Sequence, residues 1–149
     1  MSARLLALFA VGIVAGALVA IQSVLNAALG KRAGDLGSLF VLASISAVAV
    51  LPLLFIFPGA ANLRNLPGPS QWYLYLGGII GLLIVATPIF LVPRIGATAT
   101  LTAVVVGQLA LAVAIDHFGL LGVPRSELTI TRILGVFILA LGTLLIVKK

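Results

Sequence analysis

Residues 36–57, LGSLFVLASISAVAVLPLLFIF, run for 22 positions without a charged side chain. At 1.5 Å of rise per residue a helix of that length spans roughly 33 Å, enough to cross a hydrocarbon core of roughly 30 Å. The run is continuously apolar and does not alternate with period two, so it reads as a membrane helix and not as a strand of a porin-like barrel. Working outward, uncharged runs of the same kind lie at 5–30, 72–93, 95–115 and 133–147. The last is short: its 15 residues reach only about 22 Å, so Arg132 and Lys148 are expected to snorkel to opposite headgroup layers, with the helix beginning near Thr129. The expected spans are therefore about 4–30, 36–57, 72–93, 95–117 and 129–147.

Composition points the same way. A chain that is 62% hydrophobic and 8% charged cannot coat a water-facing surface at this size. The fold class is all-α integral membrane, with residues 1–149 forming a single domain of five transmembrane helices. Arg4 followed by the apolar run 5–20 looks like the start of a secretory signal, but the stretch is too long and four more spans follow, so no cleavage is expected. The chain has no cysteine, one histidine and three acidic residues, which leaves neither a disulfide framework nor the donors for a metal site. No cofactor is called for. The formal charge of +6 is spread over short connections, so it reads as headgroup and topology charge, with membrane lipid as its partner and no nucleic acid. No nucleophile elbow, phosphate-cradling loop or HExxH zinc motif is present, and an enzyme is not expected.

The connections leave no room for a second domain. The longest, 58–69 PGAANLRNLPGP, is turn-rich and runs into Trp72, Tyr73 and Tyr75, which suit the interfacial aromatic belt at the start of the third span. Pro52, Pro88 and Pro93 mark kinks or breaks in the second and third spans, with the Thr87 hydroxyl placed to bond back to the carbonyls that Pro88 frees. Small residues are placed for close helix contact: Gly12 and Gly16 on the first span, Gly77 and Gly81 on the third, Gly135 and Gly142 on the fifth.

Polar side chains at membrane depth carry whatever chemistry the chain has. Gln22 and Asn26 lie four apart on one face of the first span, and Gln108 lies near the middle of the fourth. In hydrocarbon each needs a partner or a water-filled cavity, so they either line a substrate path or glue helices together. Ser44, which sits with Ser46 near mid-depth on the second span, and Thr102, which shares a face with Thr98 on the fourth, are further substrate-binding candidates. Asp116 and His117, at the exit of the fourth span, are the gate or coupling candidates, while a structural pairing of Asp116 with Arg125 or Arg132 is the competing reading. No acid lies deep in a span. Proton-coupled export of cations through a buried carboxylate is thereby disfavoured, and neutral or anionic solutes are favoured.

The chain resembles the half-size, five-span YdcZ family of the drug/metabolite transporter superfamily. The resemblance is carried by 21–30 IQSVLNAALG, 71–81 QWYLYLGGIIG, 107–109 GQL with 115–122 IDHFGLLG, and 132–142 RILGVFILALG, which together touch every span but the second. It implies an inner-membrane transporter of small metabolites or drug-like solutes. It also implies that full-size relatives fuse two inverted five-span repeats, so that a single half dimerises, with a closing fifth helix that packs the halves together. The small multidrug exporters, more distant relatives, carry a membrane-embedded glutamate in the first span; this chain offers Gln22 there. The alternatives are half of a heterodimeric transporter, or a membrane subunit that supports assembly of another protein and transports nothing.

Five spans put the termini on opposite faces. One face then holds Arg4, Arg64, Arg125 and Arg132, and the other Lys31, Arg32, Arg94, Lys148 and Lys149. Orientation follows the Lys and Arg bias of short loops, and four against five is almost none. Either the one-charge excess sets a cytoplasmic C-terminus, or the chain inserts both ways and assembles as a two-fold related, antiparallel homodimer. A reporter fused to the C-terminus and read on both membrane faces separates the two: dual insertion gives signal on both, and signal on one face alone rules it out.

Overall fold

The computed structural model describes residues 3–148; Lys149, counted above among the topology charges, lies outside them. Five α-helices follow in order: α1 (Ala3–Ala33), α2 (Asp35–Ile56), α3 (Leu76–Ile95), α4 (Ala97–Phe118) and α5 (Ile130–Val147). All five are long and apolar enough to cross a membrane. The chain divides into two compact units, residues 1–93 with α1, α2 and all but the last two residues of α3, and residues 94–149 with α4 and α5.

In the first unit the helix boundaries differ from those expected, and glycine is the reason. α1 continues through Gly30 and takes Lys31 and Arg32 into its last turn, where their charge complements the carbonyl end of the helix dipole. It stops at Gly34, whose φ of 78° and ψ of 159° form a positive-φ conformation that is nearly closed to L side chains and costs one roughly 1–3 kcal/mol. α2 begins at the next residue. The expected five-residue connection 31–35 is thus a single glycine.

α1 and α2 pack near this turn. Ser23, Asn26, Ala27 and Gly30 on α1 are buried, as are Ser38 on α2 and Pro88 and Ile89 on α3. The Ser38 hydroxyl donates to the Asn26 carbonyl at 2.8 Å. Gly30 is where a side chain would not fit: a Cβ there would stand 2.9 Å from Ile89 Cγ2. Nothing lies within 4 Å of a Cβ added at Gly12, Gly16, Gly77 or Gly81. The close approach falls instead on the Ser23, Ala27 and Gly30 face, which has the same small-residue logic.

The third span does not start as an α-helix at Trp72. Residues Pro69–Tyr75 form 3-10 turns, broken at Gln71 by a non-helical backbone (φ −114°, ψ 26°), and the α-helix starts at Leu76. Tyr75 donates its hydroxyl to the Pro67 carbonyl at 2.8 Å, which holds the connection against the start of the helix. Trp72, Tyr73 and Tyr75 are exposed, as an interfacial belt requires. α3 then passes through both Pro88 and Pro93 without ending. The Thr87 hydroxyl donates to the Leu83 carbonyl at 2.9 Å, one position before the carbonyl that Pro88 leaves without its i+4 donor.

In the second unit Gly96, with φ 83°, precedes α4, so Arg94 belongs to the last turn of α3 and the glycine makes the break. α4 ends at Gly119 in the αL conformation, its N–H donating to the Ile115 carbonyl. Thr129 caps α5 by accepting from the Arg132 N–H, and α5 runs 18 residues to Lys148 at its C-cap.

Gly30→Ala is expected to lower stability by about 1–3 kcal/mol, because Ile89 is fully buried and its branched carbon cannot swing away. Thermal unfolding in detergent measures this, and the loss caused by Gly30→Ala should be smaller when it is made in an Ile89→Ala background, which removes the clash.

Candidate functional site

The polar groups at membrane depth fall into two classes once their hydrogen bonds are traced. Most hydroxyls are satisfied by their own helix. Ser23 donates to the Val19 carbonyl at 2.7 Å, Thr100 to Gly96 at 2.8 Å, and Thr143 to Leu139 at 2.9 Å. Thr102, a candidate binding residue, is among them: it donates to Thr98 at 2.8 Å and lies 3.2 Å from the Ala99 carbonyl. A hydroxyl bonded in this way has little need of a further partner.

The carboxamides are different. Gln22 and Gln108 are exposed, and neither side chain forms a hydrogen bond among the described residues. Asn26, one turn beyond Gln22, is 8% exposed, and its Nδ2 is buried with no partner. Gln22 and Asn26 share a helix but not an environment, because the packing with α2 covers α1 only near the Gly34 turn. Ser44 is half-buried and Ser46 exposed, and neither hydroxyl has a partner among the described residues. The residue that sequence reasoning missed in this region is Ser38, which closes α2 onto α1. A signal was available: Ser38 lies in the first turn of α2 beside Gly37, just across the connection from Gly30, where small residues cluster on both sides of the turn.

At the far end of α4 the structure gathers charges. Arg132 Nη1 lies 3.6 Å from Asp116 Oδ2, with the two side chains 40% and 37% exposed. Arg125 donates from Nε to the His117 carbonyl at 3.0 Å, and the Ser126 N–H donates to the Asp116 carbonyl at 2.8 Å. The connection after α4 therefore folds back and covers the carbonyls of its last turn, which an unassisted helix end leaves without donors. Arg125 and Arg132 also bring positive charge to the negative end of the helix dipole. The His117 ring stands edge-on to Phe118 at 5.0 Å, and its Nδ1 is buried without a partner.

Open grooves run between α4 and α5. One, of about 400 Å³, is lined by Leu101, Thr102 and Val105 on α4 and by Ile138, Gly142 and Thr143 among others on α5. Another, of about 460 Å³, has Asp116 and Arg132 at its polar end and Ala112, Val113, Gly135 and Val136 among its apolar walls. Gly135 and Gly142 thus each line a groove, and nothing lies within 4 Å of a Cβ added at either.

A family model described as "Putative inner membrane exporter, YdcZ" matches residues 7–145. Comparison with curated proteins and with solved structures found no match.

The exposed ion pair and the left-handed glycine make unequal contributions to this helix end. Asp116→Asn is expected to cost less than about 1 kcal/mol, since half-exposed pairs contribute little. Gly119→Val, which forces a branched side chain into φ 63°, is expected to cost more than that. Unfolding of the two variants in detergent gives the order, and the reverse order would mean that the ion pair holds the end of α4.

Proposed function

The chain belongs to the YdcZ family of inner-membrane exporters, and from that premise we propose that it moves small neutral or anionic solutes across the inner membrane by alternating access, as a homodimer. It is a multi-pass inner-membrane protein with five apolar helices. The observation that carries the solute class is the set of carboxamides at membrane depth. Gln22 and Gln108 lack partners among the described residues, and Asn26 Nδ2 is buried unsatisfied. Each such group in hydrocarbon is costly unless something else satisfies it, about 1–3 kcal/mol for a buried one. A solute with hydroxyl, carbonyl or carboxylate groups supplies what these amides lack, while no acid stands in their neighbourhood on the sequence to hold a cation.

Exposure supports the homodimer. Long stretches of α1 and α5 carry large apolar side chains in the open, and Gly12, Gly16, Gly135 and Gly142 offer places where another helix backbone can approach closely. In this reading the fifth helix clasps the partner, the substrate cavity forms between protomers, and Asp116 with Arg132 acts as a gate whose loose, half-exposed pairing opens readily.

Purified protein in proteoliposomes, assayed against a panel of radiolabelled neutral, anionic and cationic solutes, tests the proposal. Uptake is expected for neutral or anionic members, with Gln22→Ala and Gln108→Ala each weakening it by roughly fivefold to a hundredfold, the loss of one or two hydrogen bonds. Unchanged uptake and affinity in both variants would remove these residues from the binding site.

A further inference from the structure

Two segments of the chain repeat one another. Residues 32–39, RAGDLGSL, and 94–101, RIGATATL, align without a gap at an offset of 62 positions. Arginine precedes the glycine by two, a small residue follows it by three, a hydroxyl by four and leucine by five. A pattern this short recurs easily by chance in sequence, but its structural counterparts do not depend on the letters.

Gly34 has φ 78° and ψ 159°, and Gly96 has φ 83° and ψ 161°. Each glycine carbonyl accepts from the N–H four residues on, Ser38 at 2.9 Å and Thr100 at 3.2 Å. Ser38 and Thr100 are both 0% exposed. The helices that follow, Asp35–Ile56 and Ala97–Phe118, are both 22 residues long, and both their ends match at the same offset. Before the glycines the burial also matches: Asn26 and Ala27 on α1 correspond to Pro88 and Ile89 on α3, all four buried. Gly34 with α2 and Gly96 with α4 are two copies of one glycine-helix element.

The repeat assigns a counterpart to Gln108. It stands twelve residues after Gly96, roughly 18 Å along its helix. The residue twelve after Gly34 is Ser46, at the same depth and the same angular position on α2. Both side chains are exposed, and neither has a hydrogen-bond partner among the described residues. Ser44, two residues away, points about 200° round the helix and corresponds to Val106. We infer that Ser46 is a second solute-contacting residue, the counterpart of Gln108 in a repeated glycine-helix element, offering a hydroxyl where its equivalent offers an amide. This rests on the reading of Gln108 as a residue of the transport path.

The chain has no cysteine, so single-cysteine variants report directly on one position. Ser44→Cys, Ser46→Cys and Gln108→Cys, each reconstituted in proteoliposomes, are treated with a charged methanethiosulfonate reagent on both membrane faces, and labelling is followed by mass spectrometry. Only a hydrated thiol ionises and reacts, so the cysteines at 46 and 108 are expected to label about tenfold faster than the one at 44. Labelling at 108 with none at 46, or at 44 in place of 46, overturns the assignment of Ser46 and leaves Gln108 in the path. Silence at both 46 and 108 overturns the transport-path reading of Gln108, and the assignment of Ser46 with it.

Discussion

In hydrocarbon every peptide N–H and C=O must find its partner within the chain, and here that requirement is concentrated where helices stop. Two of the breaks, at Gly34 and Gly96, are single residues. A glycine at positive φ turns the backbone and lets the next helix begin at once, so that few carbonyls and amides are left bare. The end of α4 needs more. There Gly119 takes the αL conformation, and Arg125 and Ser126 return to donate to the His117 and Asp116 carbonyls.

The same requirement separates structural polar residues from functional candidates. Ser23, Thr87, Thr100, Thr102 and Thr143 direct their hydroxyls to carbonyls of their own helices, and Ser38 to a carbonyl of the neighbouring one. A carboxamide cannot be satisfied so locally, because its two donors and its acceptor point away from a helix whose backbone is already paired. Gln22, Asn26 and Gln108 therefore stand apart on physical grounds. Asn26 differs again from the two glutamines, since it is covered by packing and its unpaired donor is enclosed.

Charge plays a smaller part than its rarity suggests. Asp116 and Arg132 are separated by 3.6 Å and remain well exposed, so their attraction is screened and the pair can open without a large loss. Arg125 is held by geometry, on a carbonyl, and its Cβ lies 3.3 Å from the position a side chain would take at Gly119. That crowding, together with the positive φ, fixes glycine at this position.

The sequence by itself determined that five helices cross a membrane, that the fifth begins near Thr129, and which polar side chains lie at depth. Hydropathy and length are properties of the solvent a segment must meet, and they act before any helix touches another. Helix boundaries were legible only to within a few residues, because Gly30, Arg94 and Trp72 look like stopping points until the backbone at Gly34, Gly96 and Tyr75 is seen. Only the tertiary structure decided which small residues pack and which remain bare. Gly12, Gly16 and Gly30 carry the same side chain and the same promise of close contact, yet Ile89 reaches only Gly30. The choice between Asn26 as a buried amide and Gln22 as an open one was likewise made by which part of α1 its neighbours cover, since packing is a relation between segments that no single run of residues contains.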